Sequence, residues 1–195
     1  MRKLIHGVAY NSKGNYLSFI DGRYTAAYGT WYNMINRCYS PKQQIKQPTY
    51  IGCSVSEEWL DFQVFAHWFT NHPHGDLGYH LDKDILIPNN KVYGPAACCF
   101  VPVELNSLLT NNNVNRGVYP QGVFLDRGKN KLRVLLSTQG KQKHLGYFDD
   151  MQEAYQVYKT AKERHVKNMA LKWANKIQWE VFVALMNWEL PDVKT

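Results

Sequence analysis

The chain of 195 residues is long enough for one large domain or two small ones, and its hydrophobic content of 45% is enough to form their cores. Its formal net charge is +7 at neutral pH. No apolar run approaches the roughly 20 residues that a membrane-spanning helix needs, and the N-terminus has no apolar signal-peptide core. We therefore expect a cytoplasmic protein with no membrane contact.

The positive charge is concentrated in one part of the chain. Residues 112–176 contain 13 Lys and Arg against 5 Asp and Glu, a balance of +8, whereas the remainder has a balance of −1. A localised basic surface is typical of proteins that bind a phosphate backbone. The charge pattern therefore favours a nucleic-acid partner.

The four cysteines have no spacing typical of a metal site. Cys38, Cys53, Cys98 and Cys99 include no CxxC pair, whereas structural zinc sites usually have paired short spacings. We expect buried, reduced thiols and no structural zinc.

The first third of the chain is predicted to contain a hairpin, two helices and one short strand. Residues 1–27 alternate aromatic and polar positions around two glycines, which favours a hairpin. Residues 28–39 have the apolar spacing of a helix that Pro41 ends, and a polar loop and a short strand at 51–55 follow. Ser56 is predicted to cap a second helix with acidic residues in its first turn. Its buried stripe would consist of Trp59, Phe62, Phe65, Ala66 and Phe69.

The stretch from Tyr79 to Asn106 is predicted to form a strand, a turn, a second strand and a helix. The first strand ends in Asp82, the turn contains Asn89 and Asn90, and the helix carries Asn106. A strand-end carboxylate and a helix amide oxygen are oxygen donors of the kind that magnesium accepts. Asp82 and Asn106 are therefore candidate ligands of one divalent cation. The alternative is a hairpin and helix with surface acids and a capping Asn.

Four phrases of the sequence resemble phage-encoded HNH endonucleases: TWYNMINRCY, PTYIGCSVSEEWLDFQVFAHWF, LDKDIL and YGPAACCFVPVELN. The resemblance implies a ββα-metal fold and hydrolysis of a DNA phosphodiester with one Mg²⁺ or Mn²⁺, held by Asp82 and Asn106. The motif is degenerate, because the Asp-His pair of that family reads Asp82-Lys83 here. The central Asn of the motif, which would fall near Ala97 or Cys98, is also missing.

The missing general base has two candidates. His80 lies two residues before Asp82, so both side chains would share one face of an extended strand. A neutral imidazole can take a proton from water near neutral pH, although a surface or packing histidine would show the same spacing. Lys83 occupies the position that faces the scissile phosphate in the resembled family. There it would stabilise phosphate charge, or act as a base if its pKa were strongly lowered. Asp84 is either a second carboxylate near the metal or a solvent-facing acid.

A polar connection with three consecutive asparagines separates this part from a second predicted domain. The segment GVFLDRGKNKLRVLLSTQGKQKHLGYF predicts three strands, with turns at 127–131 and at Gln139-Gly140. Asp149 or Asp150 is predicted to cap the helix that follows.

The phrases Gly122-Val123, Arg133 and LGYF, with Glu153-Ala154 and Val157-Tyr158 in the helix, resemble the Apetala-type DNA-binding domain of plant ethylene-response factors. That domain also occurs fused to HNH nucleases of phages and mobile elements, and its sheet enters the major groove of double-stranded DNA. Leu132 stands where that family has a tryptophan, so any base-specific readout is expected to differ. The resemblance implies that the following residues lie on or beside the DNA face: Arg127, Lys129, Lys131, Arg133, Lys141 and Lys143.

Residues 171–188 are predicted to form one further amphipathic helix, ended by Pro191, that packs on a domain or pairs with a second copy in a homodimer. The predicted fold class is α+β. The predicted domains are an HNH-like domain at 1–110, a linker at 111–118, a DNA-binding domain at 119–170 and a C-terminal helix at 171–195.

Two functions are compatible with this organisation. One is a metal-dependent DNA endonuclease acting in the host cytoplasm if a phage encodes it. The other is a catalytically inactive DNA-binding or regulatory protein on a degenerate HNH scaffold.

Overall fold

The computed structural model describes residues 4–109, 118–138 and 140–192. The protein belongs to the α+β class, and its chain divides into two compact units, Met1–Val103 and Glu104–Thr195. The division falls earlier in the chain than the predicted linker, of which only residue 118 lies within the described residues. Across the described residues, no helix combines the length and apolar character needed to span a bilayer.

The first unit contains the predicted hairpin. Strand β1 (Phe19–Ile20) pairs antiparallel with β2 (Arg23–Tyr24). Helix α1 (Ala26–Tyr39) follows, and the hydroxyl of Thr25 accepts a hydrogen bond from the N–H of Tyr28. The helix begins earlier than predicted because Thr25 caps its first turn.

The prediction of a polar loop after α1 is wrong, because this segment is helical. Helix α2 (Pro41–Lys46) and a 3-10 turn (Pro48–Tyr50) fill it. Pro41 occupies the first helical position, where a missing N–H costs no hydrogen bond and the fixed φ suits a helix. The hydroxyl of Ser40 caps α2 by accepting the N–H of Gln43. Pro41 therefore separates two helices.

The prediction that Ser56 caps the second helix is also wrong. A 3-10 turn (Glu57–Leu60) follows Ser56, whose side chain makes no capping bond, and helix α3 (Phe62–Asn71) begins after Asp61. The Asp61 carboxylate accepts the N–H of Gln63 at 3.1 Å. The acidic residues of the 3-10 turn thus lie before the helix that they were expected to open.

The buried aromatic stripe of this segment is confirmed. Trp59, Phe62, Phe65, Ala66 and Phe69 are all at most 3% exposed and belong to the core of the first unit. Trp31 of α1 donates its indole N–H to the carbonyl of Trp59 at 2.7 Å. The two aromatic helices are therefore scaffold, as the sequence predicts.

The predicted order of strand, turn, strand and helix after Tyr79 is confirmed. Strand β4 (His80–Asp82) pairs antiparallel with β6 (Cys99–Val101), and helix α4 (Val103–Leu108) follows. Between β4 and β6 in the sequence lies the short strand β5 (Val92–Tyr93), which pairs in parallel with β3 (Ser54–Val55). This pairing was not predicted.

The second unit contains the predicted three-stranded antiparallel sheet. Strands β7 (Val123–Asp126), β8 (Lys131–Thr138) and β9 (Lys141–Phe148) pair in that order. Gly140 of the second predicted turn has a φ of 75°, and Gln139 lies outside the described residues.

Helix α5 (Met151–Trp173) follows the sheet, and the Asp150 carboxylate caps it by accepting the N–H of Glu153 at 2.7 Å. One face of β8 packs against this helix. That buried set consists of Leu132, Val134 and Leu136 from the strand and Ala154, Tyr155 and Tyr158 from the helix.

The prediction of a single helix over 171–188 is wrong. Helix α5 continues to Trp173, a 3-10 turn (Ala174–Lys176) follows, and helix α6 covers Trp179–Met186. Ile177 interrupts the helix because its backbone is extended, and its side chain is buried, with 7% of the residue exposed. The helix is thus interrupted where Ile177 enters the core. Pro191 lies beyond the end of α6.

Candidate metal centre and nucleic-acid interface

Asp82 ends strand β4 and holds the turn that follows it. Its Oδ1 atom accepts the N–H of Asp84 at 2.7 Å and the N–H of Ile85 at 2.8 Å. Burial raises the pKa of this carboxyl, whereas the two amide hydrogen bonds and the nearby Lys83 charge oppose the rise. Asp82 lies opposite Cys99, a residue with no exposed surface. The site therefore contains a largely desolvated carboxylate with one oxygen engaged by backbone amides.

His80 shares the strand face of Asp82. The residues are two apart on β4, and alternate side chains of a strand point to the same side. Leu81, between them, points the other way and joins Phe100 in the core of the first unit. His80 is exposed. The predicted pairing of an imidazole with the candidate metal ligand on one face is therefore compatible with this strand.

Lys83 is buried and held by several acceptors. Only 6% of the residue is exposed, and Nζ donates to both Asp84 carboxylate oxygens at 2.7 Å and to the carbonyl of Asn90 at 2.8 Å. The Asn90 side chain in turn donates to the Lys83 carbonyl at 2.9 Å. Lys83 therefore pins the loop between β4 and β5, and its charge is neutralised by Asp84, the residue considered as a second metal ligand.

Asn106 lies on α4 and belongs to the second unit, whereas Asp82 belongs to the first. Each residue is described within its own unit, so their pairing at one cation stays a prediction. The nearby Glu104 carboxylate accepts hydrogen bonds from Lys172 at 2.9 Å and from the Trp173 indole at 3.3 Å. The start of α4 is thereby bonded to the end of α5.

The two predicted ligands, Asp82 and Asn106, offer the kind of oxygen donors that a hard cation prefers. Carboxylate and amide oxygens suit Mg²⁺ or Mn²⁺, and Mg²⁺ commonly keeps several waters beside one or two carboxylates. Among the described residues, no cluster of three or more His, Cys, Asp or Glu could hold a metal. A site based on Asp82 would therefore depend on an amide ligand and on water for its remaining coordination.

A pair of neighbouring histidines, His72 and His74, lies in the same unit. The N–H of His74 donates to Nδ1 of His72 at 3.1 Å, and the His74 ring stacks on Tyr79 with centroids 5.7 Å apart. Burial lowers the pKa of His74. The sequence His72-Pro73-His74 places these rings close together, and no role was predicted for them.

The outer face of the sheet in the second unit places an arginine between two aromatic residues. Arg133 of β8 lies opposite Phe124 of β7 and Tyr147 of β9, so all three side chains point away from α5. Phe124 is 45% exposed. The Nε atom of Arg133 is shielded and has no hydrogen-bond partner among the described residues. The guanidinium of Arg133 therefore retains unused donor capacity.

Asp126 organises the turn beside this arginine. Its Oδ1 accepts the N–H groups of Gly128 at 3.1 Å and Lys129 at 3.2 Å, and its Oδ2 accepts the Tyr147 hydroxyl at 3.3 Å. The hydrogen bond from the backbone N–H of Lys129 and the one from the Tyr147 hydroxyl lower the pKa of the Asp126 carboxyl. The positive charge of Arg133 also contributes to this lowering. The Lys129 ammonium lies 3.9 Å from the centre of the Tyr147 ring, within cation–π range.

The six predicted DNA-binding residues are distributed over three places. Arg133 and Lys131 lie on the outer face, where Lys131 pairs with Asp149 at 2.7 Å. Arg127 and Lys129 lie in the turn between β7 and β8. The register assigns Lys141 and Lys143 to the face of Leu136, which packs against α5, although both lysines are exposed at the far end of the sheet.

Phe124, Asp126 and Tyr147 were not predicted to be members of this surface. The alternation of side chains between the two faces of each strand identifies them, but only when the register that pairs Arg133 with Phe124 and Tyr147 is known. Comparisons with known protein families, curated proteins and solved structures found no significant match to this chain.

Proposed function

We propose that this protein binds double-stranded DNA through the sheet of its second unit and hydrolyses a phosphodiester in a metal-dependent, HNH-type endonuclease reaction. The observation that carries the proposal is the outer face on which Arg133 lies between Phe124 and Tyr147, beside the Lys129 ammonium. Such a surface offers cations to phosphates and a planar guanidinium to base edges.

The cleavage step rests on Asp82, Asn106 and His80. Asp82 and Asn106 would hold Mg²⁺ or Mn²⁺ through oxygen atoms, and a bound ion of this kind stabilises negative charge that develops on the phosphate. His80 takes a proton from the attacking water on a ring nitrogen, because the unprotonated nitrogen of a neutral imidazole is a proton acceptor. Lys83 contributes by fixing the loop that starts at Asp82, because its ammonium is engaged by Asp84 and Asn90.

Cleavage of supercoiled plasmid DNA tests the endonuclease. The wild type with Mg²⁺ or Mn²⁺ should nick or linearise the plasmid, whereas Asp82→Ala and Asn106→Ala should not. His80→Ala should lower the cleavage rate and alter its pH profile if the imidazole is the base. Asp76→Ala is the matched control, because it removes an exposed acid of the same unit. Equal cleavage by the wild type and Asp82→Ala would exclude the ligand role.

A non-catalytic DNA-binding protein is the second candidate. It is favoured by the engagement of Asp82 Oδ1 with two backbone amides and of Lys83 with Asp84, because both residues then serve the fold of one loop. In this case no variant and no metal produces cleavage, whereas duplex binding persists and weakens with salt.

Paired charge variants on the sheet test the binding surface in either case. Arg133→Gln should weaken duplex binding more than Lys143→Gln, since Lys143 shares a strand face with Leu136. Both variants remove one positive charge. An equal loss of affinity would mean that net charge, and not the outer face, determines binding.

A further inference from the structure

A second cationic surface lies on the first unit, whose nine Lys and Arg against seven Asp and Glu give a net charge of only +2. Residues 22–56 contain four Lys and Arg and no Asp or Glu. Three of these cations, Arg37, Lys42 and Lys46, lie at the end of α1 and on α2. Lys91, just before β5, joins them. We refer to Arg37, Lys42, Lys46 and Lys91 as the α2 patch.

Hydrogen bonds between neighbouring segments fix the backbone that carries these cations. The Lys91 ammonium donates to the carbonyl of Thr49 at 3.1 Å, which ties Lys91 to the 3-10 turn after α2. The Gln44 side chain donates to the carbonyl of Cys38 at 2.7 Å and so fastens α2 to the end of α1. The backbone of the patch therefore needs little ordering when a partner binds.

Arg37 is the most fixed member of the patch. Its guanidinium lies 5.4 Å from the centre of the Tyr50 ring and hydrogen-bonds to the hydroxyl of buried Tyr93. Both contacts keep the pKa of Arg37 above its ordinary value although burial opposes this. A charged group is therefore held at the base of the patch.

The charges of the α2 patch are not neutralised within the described part of the chain. None of its four cations forms an ion pair there, whereas Lys83 and Lys131 both pair with a carboxylate. Lys42, Lys46 and Lys91 are exposed. The patch thus presents uncompensated positive charge to solvent, which favours a polyanionic partner.

We propose that the α2 patch contacts the sugar-phosphate backbone of double-stranded DNA, so that both units of the chain hold the duplex. This inference rests on the proposed function, and it adds a phosphate-binding surface to the unit that contains Asp82. An anionic membrane is the less suitable partner, because α2 has six residues and a membrane-surface helix needs a broad apolar face. Ile45, which is 81% exposed, is the single apolar side chain between Lys42 and Lys46.

Salt-dependent binding of a labelled duplex tests the inference. Each lost phosphate contact should reduce the slope of log affinity against log salt by about 0.9, so Lys42→Gln with Lys46→Gln should reduce it by about 2. The affinity of the double variant should fall about tenfold or more at roughly 0.1 M salt. Lys13→Gln is the control, because Lys13 is exposed on a segment that hydrogen-bonds to α3. Its slope should fall less than those of the Lys42→Gln and Lys46→Gln single variants.

Three results would overturn the inference. If Arg133→Gln weakens binding while the α2 variants bind like the wild type, the inference fails and the proposed function stands. If the wild type binds no duplex at all, both fail. If the patch lysines instead control binding to vesicles of anionic phospholipid and have no effect on duplex binding, the patch serves a membrane. Reduced slope and affinity in the α2 variants support the inference even if no DNA is cleaved.

Discussion

A single methyl group at Gly122 should destabilise the second unit far more than the same group at Gly140. Both glycines have left-handed backbones, with φ of 78° and 75°. An alanine in this conformation costs about 1–2 kcal/mol at either position. An added Cβ at Gly122 would lie 2.0 Å from Cδ2 of Tyr158, whereas at Gly140 it would meet no atom within 4 Å.

The overlap at Gly122 cannot be relieved cheaply. Tyr158 is 4% exposed and belongs to the core between α5 and the sheet. Overpacking of a core typically costs about 1–3 kcal/mol. We therefore expect Gly122→Ala to lower the free energy of unfolding by about 2–5 kcal/mol and Gly140→Ala by about 1–2 kcal/mol.

Thermal unfolding and native-state hydrogen exchange measure this difference. The Leu135 amide is a suitable probe, because it donates to the Gly122 carbonyl at 2.9 Å. The Tm of Gly122→Ala should lie roughly 5–20 °C below that of Gly140→Ala. In a Tyr158→Ala background, the excess cost of Gly122→Ala should largely disappear. Equal destabilisation by the two alanines would refute the close packing of Tyr158 against the start of β7.

Three further predictions concern charged groups. Asp82→Asn should match or exceed the wild type in stability at pH 7 without metal, because a pKa raised by burial makes the native state lose stability as the pH rises above about 4. Chemical denaturation across this pH range checks it, and a more stable wild type at pH 7 would contradict it. Lys83→Met should destabilise the first unit by about 2–3 kcal/mol and speed hydrogen exchange in the loop after β4, unlike Lys13→Met, since charged hydrogen bonds are lost. Lys162 donates to the Leu108 carbonyl at 2.7 Å, and burial lowers its pKa. Its contribution to stability should therefore grow as the pH rises toward the ordinary pKa of lysine, and Lys162→Met should remove that pH dependence.

The sheet of the second unit was predictable because its determinants are local. Turn residues and alternating apolar positions specify β7, β8 and β9, and Asp150 marks the start of α5. The outer face was less predictable, because the set around Arg133 depends on the register between three strands. Leu132 illustrates the same limit. The structure gives it a buried position facing α5, which the comparison with the tryptophan of the resembled family could not specify.

The helical segment after α1 and the role of Lys83 were not predictable for a different reason. Pro41 ends one helix and begins another equally well, and only the contacts of Ser40 and Gln44 show that α2 forms. The sequence places Asn90 seven residues after Lys83 without showing that the loop brings the two together. A residue that resembles a catalytic position in sequence therefore acts as a structural anchor.

The Lys83 anchor also restricts how this sequence could change. A histidine at this position would supply the imidazole that the resembled nucleases carry, but it would release Asp84 and the carbonyl of Asn90 from their ammonium partner. Gain of a base and loss of loop order would then arise from the same substitution. Mutations at Lys83, Asp84 and Asn90 should consequently be tolerated in combination more readily than one at a time, which makes this loop a unit of coupled evolution.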